Sequence, residues 1–341
     1  MKICILGTGR SGTKAIYTMV QALMRDNHAI VDSWYEPFLW DKNVFNRDFN
    51  LVRQAFGQMD SISVEGIYQH QKLPLFIDSP GPFLPNRYLD ELFLPGQDDR
   101  HLVAKFIRAN GRIRLLNAAC QGILFVFIIR NPVDSVNSIM GRFSYFGGEF
   151  HHDDYPRFLE GIRHRYPVPD PATGDPGDME RELMFWYYMN RYALETFALE
   201  HIPVYRICYE DFLARPGRVL QGLTEFLGYP YHEKYLSLAG EKVGTVTAGP
   251  ELTQGELSLM KPYWERYLGL IRDFDADRVP DLSEITGRYR ILPGDEIRSR
   301  GYYGVTPPKL VREIDALKRE IKALKDEVRR NASKEKGESH G

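Results

Sequence analysis

The sequence predicts an α/β fold with a central, mostly parallel sheet, and three observations predict it. Short apolar runs of β character alternate with segments of helical period. The clearest run, Ile123–Ile129 (ILFVFII), is apolar at every position, as a strand covered on both faces must be. The first run, Lys2–Leu6, passes through a Gly-rich turn straight into an amphipathic segment.

Taken in order, Lys2–Leu6 is a strand and Thr13–Arg25 the helix after the turn. His101–Phe106 is a second strand and Ile123–Ile129 a third. Pro132–Met140 is helical, with proline at a first-turn position where its missing N–H costs nothing. Between residues 141 and 178 the text turns to Gly, Pro, His and Asp without clean periodicity, which predicts a long surface insertion and a candidate lid. Glu180–Glu200 is a helix, Pro203–Cys208 a strand and Gly217–Leu227 a helix. Residues 1–306 read as one α/β domain.

From Pro307 the pattern changes. Leu310, Ile314, Leu317, Ile321, Leu324 and Val328 alternate spacings of four and three, the seam of a coiled coil. Ile314, Ile321 and Val328 at one core position, with leucines at the other, favour two parallel strands. Glu313 with Lys318, and Glu320 with Lys325, would pair across such a homodimer. The plainer alternative is one amphipathic helix lying on its own domain. The expectation is a coiled-coil helix at 307–331 and a polar, disordered tail at 332–341.

Composition narrows the function. The 44 Lys and Arg nearly balance the 46 Asp and Glu, which argues against bulk polyanion binding and hence against nucleic acid as a partner. The three cysteines, Cys4, Cys120 and Cys208, lie far apart in or beside apolar stretches and fit no metal spacing. They read as buried free thiols of a reducing compartment, so a cytoplasmic protein is expected. No apolar run is long enough to span a bilayer, and the first residues do not pattern as a signal peptide.

The strongest local signal is GTGRSGTK, Gly7–Lys14, between strand and helix. Its glycines let backbone amides turn inward, and the helix start adds partial positive charge, so the turn suits a phosphate or sulfate. It departs from a Walker A loop because Thr13-Lys14 stands where Lys-Ser/Thr is required. In a Walker loop the lysine reaches the terminal phosphates and the hydroxyl beside it holds magnesium. Here Arg10 is the cation within the loop and Lys14 stands where the metal's hydroxyl would be, which implies an anion site without a metal. A dinucleotide site is not supported, because no acidic residue closes a second strand at the expected distance.

A second anion station follows ILFVFII. Arg130 leaves the carboxyl end of a central strand, the ligand edge of an open α/β sheet, and Ser138 lies about two helical turns on. A guanidinium fork and a hydroxyl can bracket one phosphate. Alternatively, Arg130 only pairs with Asp134.

Together these residues resemble the sulfotransferases that use 3′-phosphoadenosine 5′-phosphosulfate (PAPS). GTGRSGTK resembles the 5′-phosphosulfate loop in its carbohydrate and tyrosylprotein form, and YEPF (Tyr35–Phe38) the Glu-Pro motif of those enzymes. FVFIIRNPVDSVNS resembles the 3′-phosphate motif, and Tyr209–Pro230 the segment after a later core strand. The resemblance spans roughly residues 1–230 and implies a three-layer fold of the P-loop type. It also implies that Gly9, Arg10, Ser11, Gly12, Thr13 and Lys14 hold the 5′-phosphosulfate, Arg130 and Ser138 the 3′-phosphate, and that Tyr209 lies near adenine. Lys14 stands where the family commonly has a hydroxyl or a small residue. RSRGYYG (Arg298–Gly304) is the segment matched to the family's late Arg/Lys-Gly loop.

The implied reaction moves a sulfuryl group to a hydroxyl acceptor, with a glycan as the expected partner. Arg10 and Lys14 would stabilise charge on the bridging oxygen, and Glu36 would take the acceptor proton. Asp78 in LFIDSP is the rival base, or a simple turn cap. His70 and the HHDD cluster (His151–Asp154) are weaker candidates. Lys105 and Arg108 face the site or merely snorkel. The aromatic stretch Met184–Tyr192 reads as the core face of a long helix before it reads as a sugar-stacking wall. Two competing readings stand beside this one: a P-loop nucleotide kinase or hydrolase, and a non-catalytic coiled-coil scaffold.

Overall fold

Strands with apolar side chains on both faces must be covered from both sides, and this organises the chain. The computed structural model describes residues 1–35, 74–84, 89, 93, 100–107, 109–142, 158–168, 178–242 and 251–295. Five parallel strands, β1 (Lys2–Leu6), β2 (Val31–Tyr35), β3 (His101–Phe106), β4 (Leu124–Ile129) and β5 (Val204–Cys208), lie in the order β2-β3-β1-β4-β5. The described helices are, in chain order, α1 (Thr13–Asn27), α2 (Ile113–Ala119), α3 (Pro132–Arg142), α4 (Asp178–Leu199), α5 (Tyr209–Ala214), α6 (Pro216–Leu227), α7 (Lys234–Lys242), α8 (Gln254–Leu270) and α9 (Leu282–Thr286). Two short strands, β6 (Glu251–Thr253) and β7 (Arg290–Leu292), pair in parallel apart from the main sheet.

The period of two along each strand sorts the core into two halves. Ile3, Ile5, Val103, Val126, Ile128 and Ile207 meet Ile16, Val20 and Leu23 of α1 and Leu220, Leu223 and Leu227 of α6. Cys4, Leu6, Phe106, Phe125, Phe127 and Ile129 face the other way, onto α2, α3, α4 and the aromatic side of α8. Each of these buried side chains contributes about 1.5–3 kcal/mol. Strand order and the opposite faces of α1 and α3 create the feature that matters for function. Neighbouring strands β1 and β4 send their helices to opposite layers, so a crevice opens between their carboxyl ends.

The expected central sheet is present, and the four expected strands fall within a residue of their predicted bounds. Helix α1 runs two residues further than expected, to Asn27. Strand β2 had no counterpart in the sequence reading; its acidic residue, Asp32, sits near its amino end and pairs with Arg100 at 2.9 Å. The expected insertion at 141–178 is in part a core element. Residues 158–163 are helical, and Phe158, Ile162 and Tyr166 are buried against Phe76, Tyr188 and Tyr192. The aromatic stretch Met184–Tyr192 is indeed part of a long helix, α4, and faces the core. All three cysteines are buried and free. The coiled-coil segment, the tail and RSRGYYG lie outside the described residues.

Candidate functional site

The turn after β1 is built on two glycines with different tasks. At Gly7 a side chain is excluded by space, since a Cβ there would lie 2.6 Å from both the Ile128 carbonyl oxygen and Ser11 Oγ. Gly12 is needed for its backbone: it ends the turn at φ 92°, in the left-handed region, and a Cβ would meet the Tyr209 ring. Arg10 is also left-handed, at φ 65°. Successive turns of this kind aim backbone amides into one concavity. Ser11 ties the turn together, its hydroxyl donating to the Thr8 carbonyl at 2.7 Å. The N-cap residue of α1 is Gly12, which has no side chain to cap the first-turn amides.

The loop after β4 meets this turn directly. Arg10 Nε donates to Ser138 Oγ at 2.9 Å, and Arg130 Nη1 donates to the Arg10 carbonyl at 3.2 Å. The Arg130 guanidinium lies 4.9 Å over the Tyr209 ring, which also lies close against Gly12. Arg10 and Gly12 of the turn after β1, Arg130 and Ser138 at the end of β4 and on α3, and Tyr209 at the start of α5 are therefore brought together at the β1–β4 crevice. Thr8 Oγ1 and Arg130 Nε are buried there without a partner among the described residues. Ser11 and Thr13 are buried, whereas Lys14 is exposed on the first turn of α1.

Arg130 also makes the plainer contact, with Asp134 Oδ2 at 3.2 Å. Burial disfavours the Arg130 charge, but Asp134, Tyr209 and Glu210 outweigh it and hold the guanidinium more firmly protonated than usual. Burial likewise pushes the Tyr209 hydroxyl up, against the opposing pull of Arg130.

A supporting layer holds Arg130 from behind, and the sequence reading missed most of it. Trp186 Nε1 donates to the Arg130 carbonyl at 3.2 Å. Asn131 caps α3, its Oδ1 accepting from the Asp134 amide at 2.8 Å, while its own amide and side chain donate to Glu210 at 3.0 and 2.6 Å. Tyr267 donates to the other Glu210 oxygen at 2.7 Å. Asn131-Pro132 followed by Asp134 is a helix-start pattern that could have flagged the cap. No local signal marks Trp186 or Tyr267, which arrive from distant helices.

The remaining candidates lie elsewhere or outside view. Asp78 is the hub of an ion-pair cluster: it pairs with Arg165, accepts from Arg114 at 3.0 Å, and accepts from the Tyr192 hydroxyl at 2.7 Å. Its oxygens are engaged in fastening segment 158–168 and α4 to residues 74–84. Lys105 is buried in β3, opposite Ile5 and Tyr35. Glu36, His70, Arg108 and the HHDD cluster lie outside the described residues. Among the described residues no group of three His, Cys, Asp or Glu is arranged to hold a metal, and no helix is long and apolar enough to cross a membrane.

Comparison with known proteins adds the following. A sequence model described as the sulfotransferase family matches residues 2–233. Sulfotransferase STF9 from Mycobacterium avium aligns over 82% of this chain and 78% of its own, at 13% identity and a TM-score of 0.43. Sulfotransferase STF1 from Mycobacterium tuberculosis H37Rv aligns over 79% and 76%, at 13% identity and a TM-score of 0.39. Mouse sulfotransferase SULT7A1, complexed with PAP, aligns over 93% and 81%, at 12% identity and a TM-score of 0.34. No curated protein sequence matches the chain.

Proposed function

Because the chain belongs to the sulfotransferase family, we propose that it transfers the sulfuryl group of PAPS to a hydroxyl acceptor. One observation carries this reading: Arg10 of the turn after β1 is hydrogen-bonded to both Arg130, at the end of β4, and Ser138, on α3, in one cluster at the sheet's ligand edge. A nucleotide with anionic groups at both ends suits that cluster. The turn amides, Ser11 and Thr13 answer the 5′ end, Arg130 and Ser138 the 3′-phosphate, and Tyr209 stands beside the base. The orphaned Thr8 hydroxyl and Arg130 Nε supply buried donors for anionic oxygens.

The chemistry asks for positioning and charge stabilisation more than for covalent help. As the acceptor oxygen bonds to sulfur, the bond from sulfur to the bridging phosphate oxygen breaks and PAP leaves. Arg10, the turn amides and Lys14 stabilise the charge gathering on that bridging oxygen. Glu36, one residue beyond β2, takes the acceptor proton. Asp78 is less suited to that role, since two arginines and a phenol already occupy its oxygens. The Arg-Ser-Gly-Thr form of the loop favours a carbohydrate hydroxyl as acceptor. The heptads at 307–331 support a parallel homodimer, and three free buried thiols fit the cytoplasm.

Calorimetry with PAP in the absence of divalent ions, against ATP with magnesium, tests the reading. PAP is expected to bind and ATP with magnesium to bind far more weakly. Arg130→Ala should weaken PAP by about 10- to 150-fold, the equivalent of roughly 1.5–3 kcal/mol for a charged hydrogen-bonding group. Glu36→Gln should keep PAP affinity and lose turnover of labelled PAPS. A preference for ATP with magnesium, or wild-type PAP affinity in Arg130→Ala, would overturn the assignment.

A further inference from the structure

Residues near the end of the described chain reach back to the anion site, beyond the part that the family match covers. Tyr289 donates its hydroxyl to Asp134 Oδ1 at 2.6 Å, and Arg288 Nη1 stands 3.4 Å from Asp134 Oδ2. Asp134 is buried, and the same Oδ2 holds Arg130 Nη2 at 3.2 Å. Asn137, on the next turn of α3, also bonds the Tyr289 hydroxyl. A carboxylate beside a phosphate site is a cost in itself, because it repels the ligand's charge. Its retention in a buried position calls for a compensating role, and the geometry supplies one. With Oδ1 held by Tyr289 and Oδ2 also accepting from Asn131 Nδ2 at 3.0 Å, the Asp134 carboxylate is fixed at both oxygens and offers Arg130 one set position, with the guanidinium over the Tyr209 ring.

We infer that Asp134 and Tyr289 are positioning residues for Arg130, so that the segment after α9 sets the affinity of the anion site without touching the ligand. This rests on the sulfotransferase reading of the site and adds a control point to it. Tyr289→Phe is the discriminating variant, since it keeps the ring and every charge and removes only the hydroxyl.

The experiment measures PAP affinity by calorimetry, KM for PAPS, kcat and thermal melting in four proteins: wild type, Tyr289→Phe, Arg130→Lys and the double variant. Arg130→Lys keeps a cation but not the fork that Asp134 orients. Tyr289→Phe is expected to weaken PAP and raise KM for PAPS by about fivefold, with kcat little changed, the effect of roughly one lost hydrogen bond. In the Arg130→Lys background the same change should cost less than about twofold, because its target is gone. Wild-type PAP affinity in Tyr289→Phe, or an equal loss in both backgrounds, overturns the inference while leaving the sulfotransferase reading intact. Lower melting with unchanged PAP affinity assigns Tyr289 a purely structural role and also overturns it. Failure of the wild-type protein to bind PAP overturns both.

Discussion

A single backbone angle decides whether the turn after β1 can form. Gly12 holds φ 92°, and a Cβ there would lie 2.3 Å from two carbons of the Tyr209 ring. The backbone strain alone is about 1–2 kcal/mol for a residue with a side chain, and the overlap forces the ring away from Arg130 as well. Gly12→Ala should therefore lower stability in urea by about 1–3 kcal/mol and weaken PAP together with it. An alanine variant that unfolds and binds as wild type would show that neither the angle nor the close approach matters. Gly9 is the informative contrast, because a Cβ there meets only the end of Ile107 at 3.9 Å. At this scale the sequence was legible where chemistry is written in residue type. Arg10, Arg130, Ser138 and Tyr209 were named from motif alone and lie together. Asp134 was seen only as a rival partner for Arg130, since its tie to Tyr289 depends on a contact 155 positions away in the chain.

Elements were legible in proportion to how completely their environment dictates them. β1, β3 and β4 carry apolar residues on both faces because both faces are covered, and such runs stand out, while β5, at the other edge, keeps Ile207 and Cys208 buried despite its exposed Arg206. β2 reads VDSWY, with Asp32 and Ser33 interrupting the pattern, and it lies at the edge of the sheet. Segment 158–168 was hidden by its setting of Pro, His and Asp; its burial comes from Phe76 and α4, which no local window contains. Helix α8 was missed although its start is written plainly. Thr253 Oγ1 accepts from the Glu256 amide at 3.1 Å, and Glu256 Oε2 accepts from the Thr253 amide at 2.9 Å, a complete capping box. Thr253→Ala should cost about 1 kcal/mol in chemical denaturation. The loss should reach the site as well, since α8 delivers Tyr267 to Glu210. An unchanged denaturation midpoint would mean that tertiary packing alone holds this helix.

At the scale of the whole molecule, charge buried at the crevice links stability to pH. Burial would raise the Asp134 carboxyl, but Arg130, the Tyr289 hydroxyl and Asn131 outweigh it and hold the group below its ordinary 3.8. A carboxyl depressed by folding stabilises the native state above its unfolded value, and that contribution is lost as pH falls through the folded value. Acid should accordingly begin to weaken the protein below about pH 4, and Asp134→Asn should flatten that part of the stability curve. Urea midpoints of the two proteins measured across that range check it; parallel curves would place the acid sensitivity elsewhere. The thiols act in the opposite sense, with burial pushing Cys208 up to about 12, so it stays a neutral core residue through the same range.

The contact between Tyr289 and Asp134 also has a meaning for biosynthesis. The glycine turn is synthesised more than 270 residues ahead of Tyr289, the last group that braces its neighbour. A nascent chain stalled before that point would carry both arginines, yet hold PAP about fivefold less tightly by the loss expected for Tyr289→Phe. The last increment of affinity would then arrive late in translation.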